Sequence, residues 1–137
     1  MKNFIFNYKD SEGNEKEVAL RLNSISCENI EKQYNCSILN FVQQGSMTAI
    51  ITLLQKMREG SGEVFTRNSA YAFYDELVDA GYSMADVLDK IICEALVVSG
   101  IISEEDLKSI REEREKIKNM TPEEKEKLIE ERKNAQK

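Results

Sequence analysis

The run IICEALVVSGII at residues 91–102 is apolar almost all round a helical projection, broken only by Glu94, Ser99 and Gly100. A helix of that kind needs cover on more than one side. The rest of the chain must wrap it as a central core helix, or a partner must cover part of it as an interface. With 137 residues, 41% of them hydrophobic, there is room for one domain with a genuine core and not for two ordinary ones.

Two alternating segments precede the helices. In NFIFNYK, Phe4, Phe6 and Tyr8 share a face; in KEVALRL, Val18, Leu20 and Leu22 do the same, and DSEGNE between them supplies turn residues. The pattern predicts a β-hairpin. Alone it is marginal, so its apolar face must rest on later parts of the chain.

Helical spacing then takes over. Cys27, Ile30 and Tyr34 recur on one side of a helix opened by Asn23 or Ser24 and closed by Asn35. A short helix comes next, in SILNFVQQG. Ser46 opens a longer one with Met47, Ile50, Ile51, Leu54 and Met57 on its apolar side. It stops at GSG, which lacks the Gly-Lys-Ser/Thr ending of a phosphate-binding loop and is read as a linker. Thr66 caps the next helix, with Ala70, Phe73, Leu77 and Ala80 as one stripe and Tyr71, Tyr74 and Val78 beside it. Gly81 takes the corner. Ser83 and Asp86 start a final core helix whose wide apolar side is Val87, Leu88, Ile91, Ile92, Ala95 and Leu96, ended by Gly100.

Beyond residue 102 the character changes. Ser103 with Asp106 caps a helix whose apolar content thins to Leu107, Ile110, Ile117 and Met120. Thr121, Pro122 and Glu124 restart a helix that has only Leu128 and Ile129 to bury. Residues 103–137 hold 11 acidic and 10 basic side chains, some at pairing distance along a helix, such as Glu104 with Lys108 and Glu112 with Lys116. The expected fold class is thus mainly α: a multi-helix bundle with a small N-terminal β-hairpin, residues 1–102, and a charged C-terminal helical extension, residues 103–137. The extension reads as a solvated tail or as an arm that folds against a partner.

Charge and cysteine usage exclude several functions. A net charge of −6 offers no positive field for phosphates, so nucleic acid is not an expected partner. The helix-turn-helix at residues 67–99 is no exception, since its second helix presents Asp86 and Asp89 where phosphates would lie. No apolar run approaches bilayer length and the first residues do not read as a secretory signal, so a cytoplasmic protein without a membrane partner is expected. Cys27, Cys36 and Cys93 lack C-x-x-C spacing and the chain has no histidine; they read as small buried thiols, with no disulfide framework and no zinc site.

The stretch DELVDAGYSMADVLDKI, residues 75–91, gathers Asp75, Glu76, Asp79, Asp86 and Asp89 around Gly81. It has neither calcium-loop spacing nor a histidine–carboxylate set. The carboxylates read as the polar side of two helices meeting at a corner, Asp86 complementing a helix N-terminus. A small enzyme using Asp75, Asp79 and Tyr74 around a metal would need converging groups and a pocket, which the pattern does not indicate. No catalytic residue, metal or cofactor is expected.

The hairpin leading into LRLNSISCENIEKQYN, then VFTRNSAYAFYDELVDAGYSMADVLDKI, then ALVVSGII, resembles the small tail assembly chaperones of long-tailed bacteriophages and related prophages. The resemblance covers residues 16–102. Its most specific parts are LRL followed by Glu31-Lys32, the DELVDAG corner, and an apolar helix ending in SG before a charged tail. Where family members often close the first helix with glycine, this chain has Asn35.

The resemblance implies a non-enzymatic assembly factor acting in the cytoplasm of a bacterial host. Its partner would be the tape measure protein, coated before the tail tube polymerises around it, with the tail tube protein as a second partner and self-association into a homo-oligomer. A long helical partner would be held through apolar helix faces. Phe73, Leu77, Val87, Leu88 and Ile91 are the partner-binding candidates, placed either in the core or at such an interface. The alternative is a small helical regulatory or adaptor protein of a host or mobile element that binds another protein through the same faces.

Overall fold

The hairpin turns on Asp10. Its carboxylate accepts the backbone N–H groups of Asn14 and Glu12 at 2.9 and 3.0 Å, and its own N–H donates to the Asn14 carbonyl at 2.9 Å. These bonds, that to Asn14 foremost, hold the Asp10 carboxyl below its usual range. In the computed structural model, which describes residues 2–135, the turn joins β1 (Phe4–Lys9) to β2 (Glu15–Leu20). The pairing is antiparallel, from Phe4 opposite Leu20 to Lys9 opposite Glu15. Among the described residues seven helices come after the hairpin and make the fold mainly α. They are α1 (Ser24–Tyr34), α2 (Ile38–Gln44), α3 (Met47–Gly60), α4 (Arg67–Asp79), α5 (residues 84–98), α6 (Glu104–Lys118) and α7 (Pro122–Ala135). The chain divides into two compact units, residues 1–102 and 103–137.

Each helix of the first unit starts at a short polar side chain that accepts a backbone N–H three residues on: Asn23, Ser37, Ser46, Thr66 and Ser83. Those bonds satisfy donors that the first turn of a helix leaves without partners. Asn35 closes α1 at φ 52°. Gly81, at φ 104°, ends α4 by donating to the Val78 carbonyl while Tyr82 donates to that of Leu77. This doubly bonded exit needs a residue that tolerates positive φ.

Helix α3 is the centre of the first unit, packed by β2, α2, α4 and α5. Ala49, Ile50, Ile51, Leu53, Leu54 and Met57 are all fully buried. The side reached by sequence spacing was narrower: Ala49 and Leu53 join the core because neighbours close on the helix from several sides, whereas Met47, in the first turn, stays 42% exposed. Thr52 is buried too. Its hydroxyl accepts from Arg67 Nη1 at 3.0 Å and lies 3.3 Å from the Tyr34 hydroxyl, so the buried polar atom is satisfied.

Helix α5 is not uniform. Met84–Asp86 and Cys93–Val98 are α-helical, but Val87–Ile92 between them is π-helical, with the Cys93 N–H bonded to the Leu88 carbonyl five residues back. The wider turn accommodates Val87, Leu88, Ile91, Ile92 and Cys93 all in the core, more than one stripe of an ordinary helix would bury. The apolar run 91–102 is thus mostly a core helix: Ile91, Ile92, Ala95 and Leu96 are fully buried and Ile102 nearly so. Each of the isoleucine and leucine side chains contributes roughly 1.5–3 kcal/mol.

Two hydrogen bonds from the backbone just past β2 fasten that end of the hairpin to the core. The Arg21 N–H donates to the Met57 carbonyl at 2.9 Å, and the Leu22 N–H to the Ser99 hydroxyl at 2.9 Å. Gly60 lies so close to the first of these that a Cβ there would meet the Arg21 carbonyl oxygen at 1.9 Å. The glycine read as part of a linker is in fact where α3 touches the end of β2.

In the second unit, Ser103 and Asp106 form a reciprocal capping box at the start of α6, and Thr121 accepts the Glu124 N–H at the start of α7. Ile129 is 56% exposed. Among the described residues, Glu104 is not ion-paired with Lys108 nor Glu112 with Lys116, whereas Lys32–Glu28, Lys56–Glu59, Arg58–Glu63 and Lys90–Asp86 are paired. Solvated pairs gain too little, about 0.2–0.5 kcal/mol, to fix two long side chains.

Candidate partner-binding surface

The acidic corner resolves into separate local roles. Asp86 closes a capping box with Ser83, accepting its N–H at 3.0 Å, and pairs with Lys90 at 3.4 Å; the bonds from Ser83 hold its carboxyl below the usual range. Glu76 accepts the Tyr8 hydroxyl at 2.6 Å and so links α4 to β1. Burial, then this bond, pushes the Tyr8 phenol well above its ordinary value. Asp75 and Asp79 are exposed on α4. Among the described residues no group of three or more His, Cys, Asp or Glu side chains is placed to hold a metal ion.

A second cluster surrounds Tyr8. Its ring lies 6.3 Å from Phe73, which meets Phe65 edge-on at 6.2 Å. The Arg58 guanidinium sits over both phenylalanines, 4.6 Å from Phe65 and 5.1 Å from Phe73, and reaches Glu63 at 3.4 Å. Here a cation is held mainly by ring faces. None of Cys27, Cys36 and Cys93 is in a disulfide, but only Cys93 is fully buried; Cys27 and Cys36 are half-buried. Partial burial still pushes the Cys27 thiol up.

The five partner-binding candidates come together in the core. Leu77, Val87 and Ile91 are fully buried, Phe73 is 6% and Leu88 8% exposed. Of the two placements expected for them, the folded chain puts all five in the core, where they present almost no area to a second molecule. The reason is the corner at Gly81, which brings the apolar stripe of α4 and the wide turn of α5 into the same core.

Apolar surface is left elsewhere. Tyr71 and Val78, seven residues apart on α4 and hence on one face, are each 45% exposed. Arg67 steadies Tyr71 from below, with Nε 3.3 Å from its hydroxyl. Ile25 on α1 is 72% exposed and Leu39 on α2 40%. On the hairpin, Ile5 is 47% exposed between two half-buried phenylalanines. Ile5 carried its own signal, an apolar residue at a position that the alternation of NFIFNYK assigns to water. A shallow polar depression of about 610 Å³ lies along the turn end of the hairpin, lined by Asn7, Tyr8, Lys9, Glu15, Lys16 and Glu17. No helix among the described residues is long and apolar enough to cross a membrane.

Comparison of the chain with protein-family models, curated proteins and solved structures finds no match.

Proposed function

We propose that this chain is a non-enzymatic tail assembly chaperone of a phage or prophage, which binds the tape measure protein in the host cytoplasm until the tail tube forms around it. The observation that carries the reading is the ordered resemblance over residues 16–102: LRL with Glu31-Lys32, the DELVDAG corner, and an apolar helix ending at Ser99-Gly100 before a charged tail. Apolar side chains left on helix surfaces support it, since a long helical partner would dock its own stripe against such residues. With the five stripe residues taken up by the core, Tyr71 and Val78 on α4 are the contacts proposed for that partner.

The test is co-expression with the tape measure protein that the reading places in the neighbouring gene, with and without residues 103–137. The full chain is expected to keep the partner in the soluble fraction and to co-purify with it. A partner equally insoluble with and without the full chain overturns the reading and leaves a helical adaptor for another protein. Gene order separates the same two accounts, because the chaperone reading requires a tail tube gene upstream and a tape measure gene downstream.

A further inference from the structure

We propose that the outer edge of β1 pairs with the same edge of a second copy, joining the two hairpins into one antiparallel four-stranded sheet. The ladder geometry identifies the open groups. Asp10 donates to Asn14 across the turn, so 10 and 14 are a hydrogen-bonded pair, and in an antiparallel ladder such pairs alternate. Phe4, Phe6 and Tyr8 therefore bond β2, and the N–H and C=O groups of Ile5, Asn7 and Lys9 point away from it. The Arg21 N–H, one residue past β2, obeys the same alternation and reaches the Met57 carbonyl. Among the described residues, no group bonds the outward backbone of Ile5, Asn7 or Lys9.

The two edges of the hairpin differ in protection. That of β2 is tied to α3 at Arg21 and carries Glu15 and Glu17 towards the turn. That of β1 has no proline and no bulge in its register, and within the strand its one charged side chain is Lys9, at the turn end. It presents Phe4, Ile5 and Phe6 in succession, none of them fully buried.

Charge selects a second copy as the occupant. Lys2 and Lys9 are the only charged side chains in residues 1–9 of a chain with net charge −6, so two acidic molecules meet here without opposed carboxylates. In an antiparallel pairing centred on Asn7, Asn7 faces its own copy and Ile5 faces Lys9, whose aliphatic stem can cover it; Glu15 is the residue opposite Lys9 on β2. The register leads Lys2 towards the other copy's turn, which carries Asp10 and Glu12. This pairing does not depend on the chaperone reading.

Sedimentation equilibrium and amide exchange on the full chain test it. The chain is expected to dimerise, with protection of the Ile5, Asn7 and Lys9 amides rising with concentration. Asn7→Pro removes an N–H that points away from β2, so it should give a monomer with unchanged helical circular dichroism. Independently of that variant, Asn7→Cys should form an intermolecular disulfide on oxidation, beyond the background of the unsubstituted chain. Residues facing each other in a hydrogen-bonded pair have Cα atoms about 5.5 Å apart, within disulfide reach. Ile5→Cys should not, because four residues of offset separate it from its copy by about 13 Å. Equal cross-linking of the two variants overturns the register and the proposal. A chain that stays monomeric, with those amides unprotected at every concentration, overturns self-pairing and leaves the edge to a strand of a different protein.

Discussion

At the scale of single residues, two glycines constrain the fold for opposite reasons. Gly81 has φ 104° and open space around the position of a Cβ, so only backbone conformation resists a side chain there. Gly81→Val should cost about 1–3 kcal/mol and Gly81→Asn much less, since asparagine tolerates the left-handed region. Gly60 sits in a helix, and its difficulty is space: a methyl group would strike the Arg21 carbonyl. Gly60→Ala should destabilise by about 1–3 kcal/mol or more despite alanine's better helix propensity, because backbone must move on both sides. Thermal melts of the three variants check both statements. Tyr8 adds a pH dependence. Its folded phenol ionises only above the ordinary value of about 10, so stability is complete below that pH and falls as the unfolded chain begins to ionise above it. Tyr8→Phe should cost about 1 kcal/mol at neutral pH, by removing the bond to Glu76, and should flatten the alkaline limb of the melting profile.

Helix starts and helix faces set the next scale. Ser83–Asp86 and Ser103–Asp106 are reciprocal boxes, and in each the serine holds the aspartate carboxyl below its usual range. A lowered folded value means stability present above the ordinary carboxylate range and lost as pH falls through the lowered one. Ser83→Ala removes the hydroxyl cap but keeps the backbone N–H that Asp86 accepts, so it should weaken the corner at neutral pH and reduce the loss on acidification only in part, read from melts between neutral and acid pH. On α4, Val78→Asp places a charge on a half-exposed face and should leave the melting temperature nearly unchanged. Leu77→Asp, one residue away, puts an unpaired charge into the core and should unfold the domain. If Val78→Asp abolishes recovery of a soluble tape measure complex while the fold persists, the outer face of α4 is the contact.

At the scale of the molecule, the apolar residues concentrate before residue 103 and the charge balance after it. The compact unit of residues 1–102 contains α3, the hairpin and α5. Truncation after Ile102 is expected to leave a cooperatively melting domain, checked by calorimetry on the shortened chain. A loss of cooperativity would mean that residues 103–137 belong to the folding unit.

The sequence by itself determined where elements begin and end. Caps and corners are local chemistry: Asn23, Ser37, Ser46, Thr66, Ser83 and Ser103 satisfy their own first turns, and Asn35 and Gly81 adopt the backbone that ends a helix. The mainly helical class and the hairpin register arise from spacing of the same range. Tertiary structure decided which faces are covered, because burial depends on residues distant along the chain. It closed neighbours around α3 until Leu53 and Thr52 were inside, widened the turn at Val87–Ile92, and put Phe73, Leu77, Val87, Leu88 and Ile91 in the core. It turned Glu76 from a solvated carboxylate into the acceptor of Tyr8, 68 residues away, and Gly60 from a linker into a contact with Arg21. The same packing tied β2 to α3 and left β1 with an open edge, an asymmetry that periodicity within a single strand does not encode.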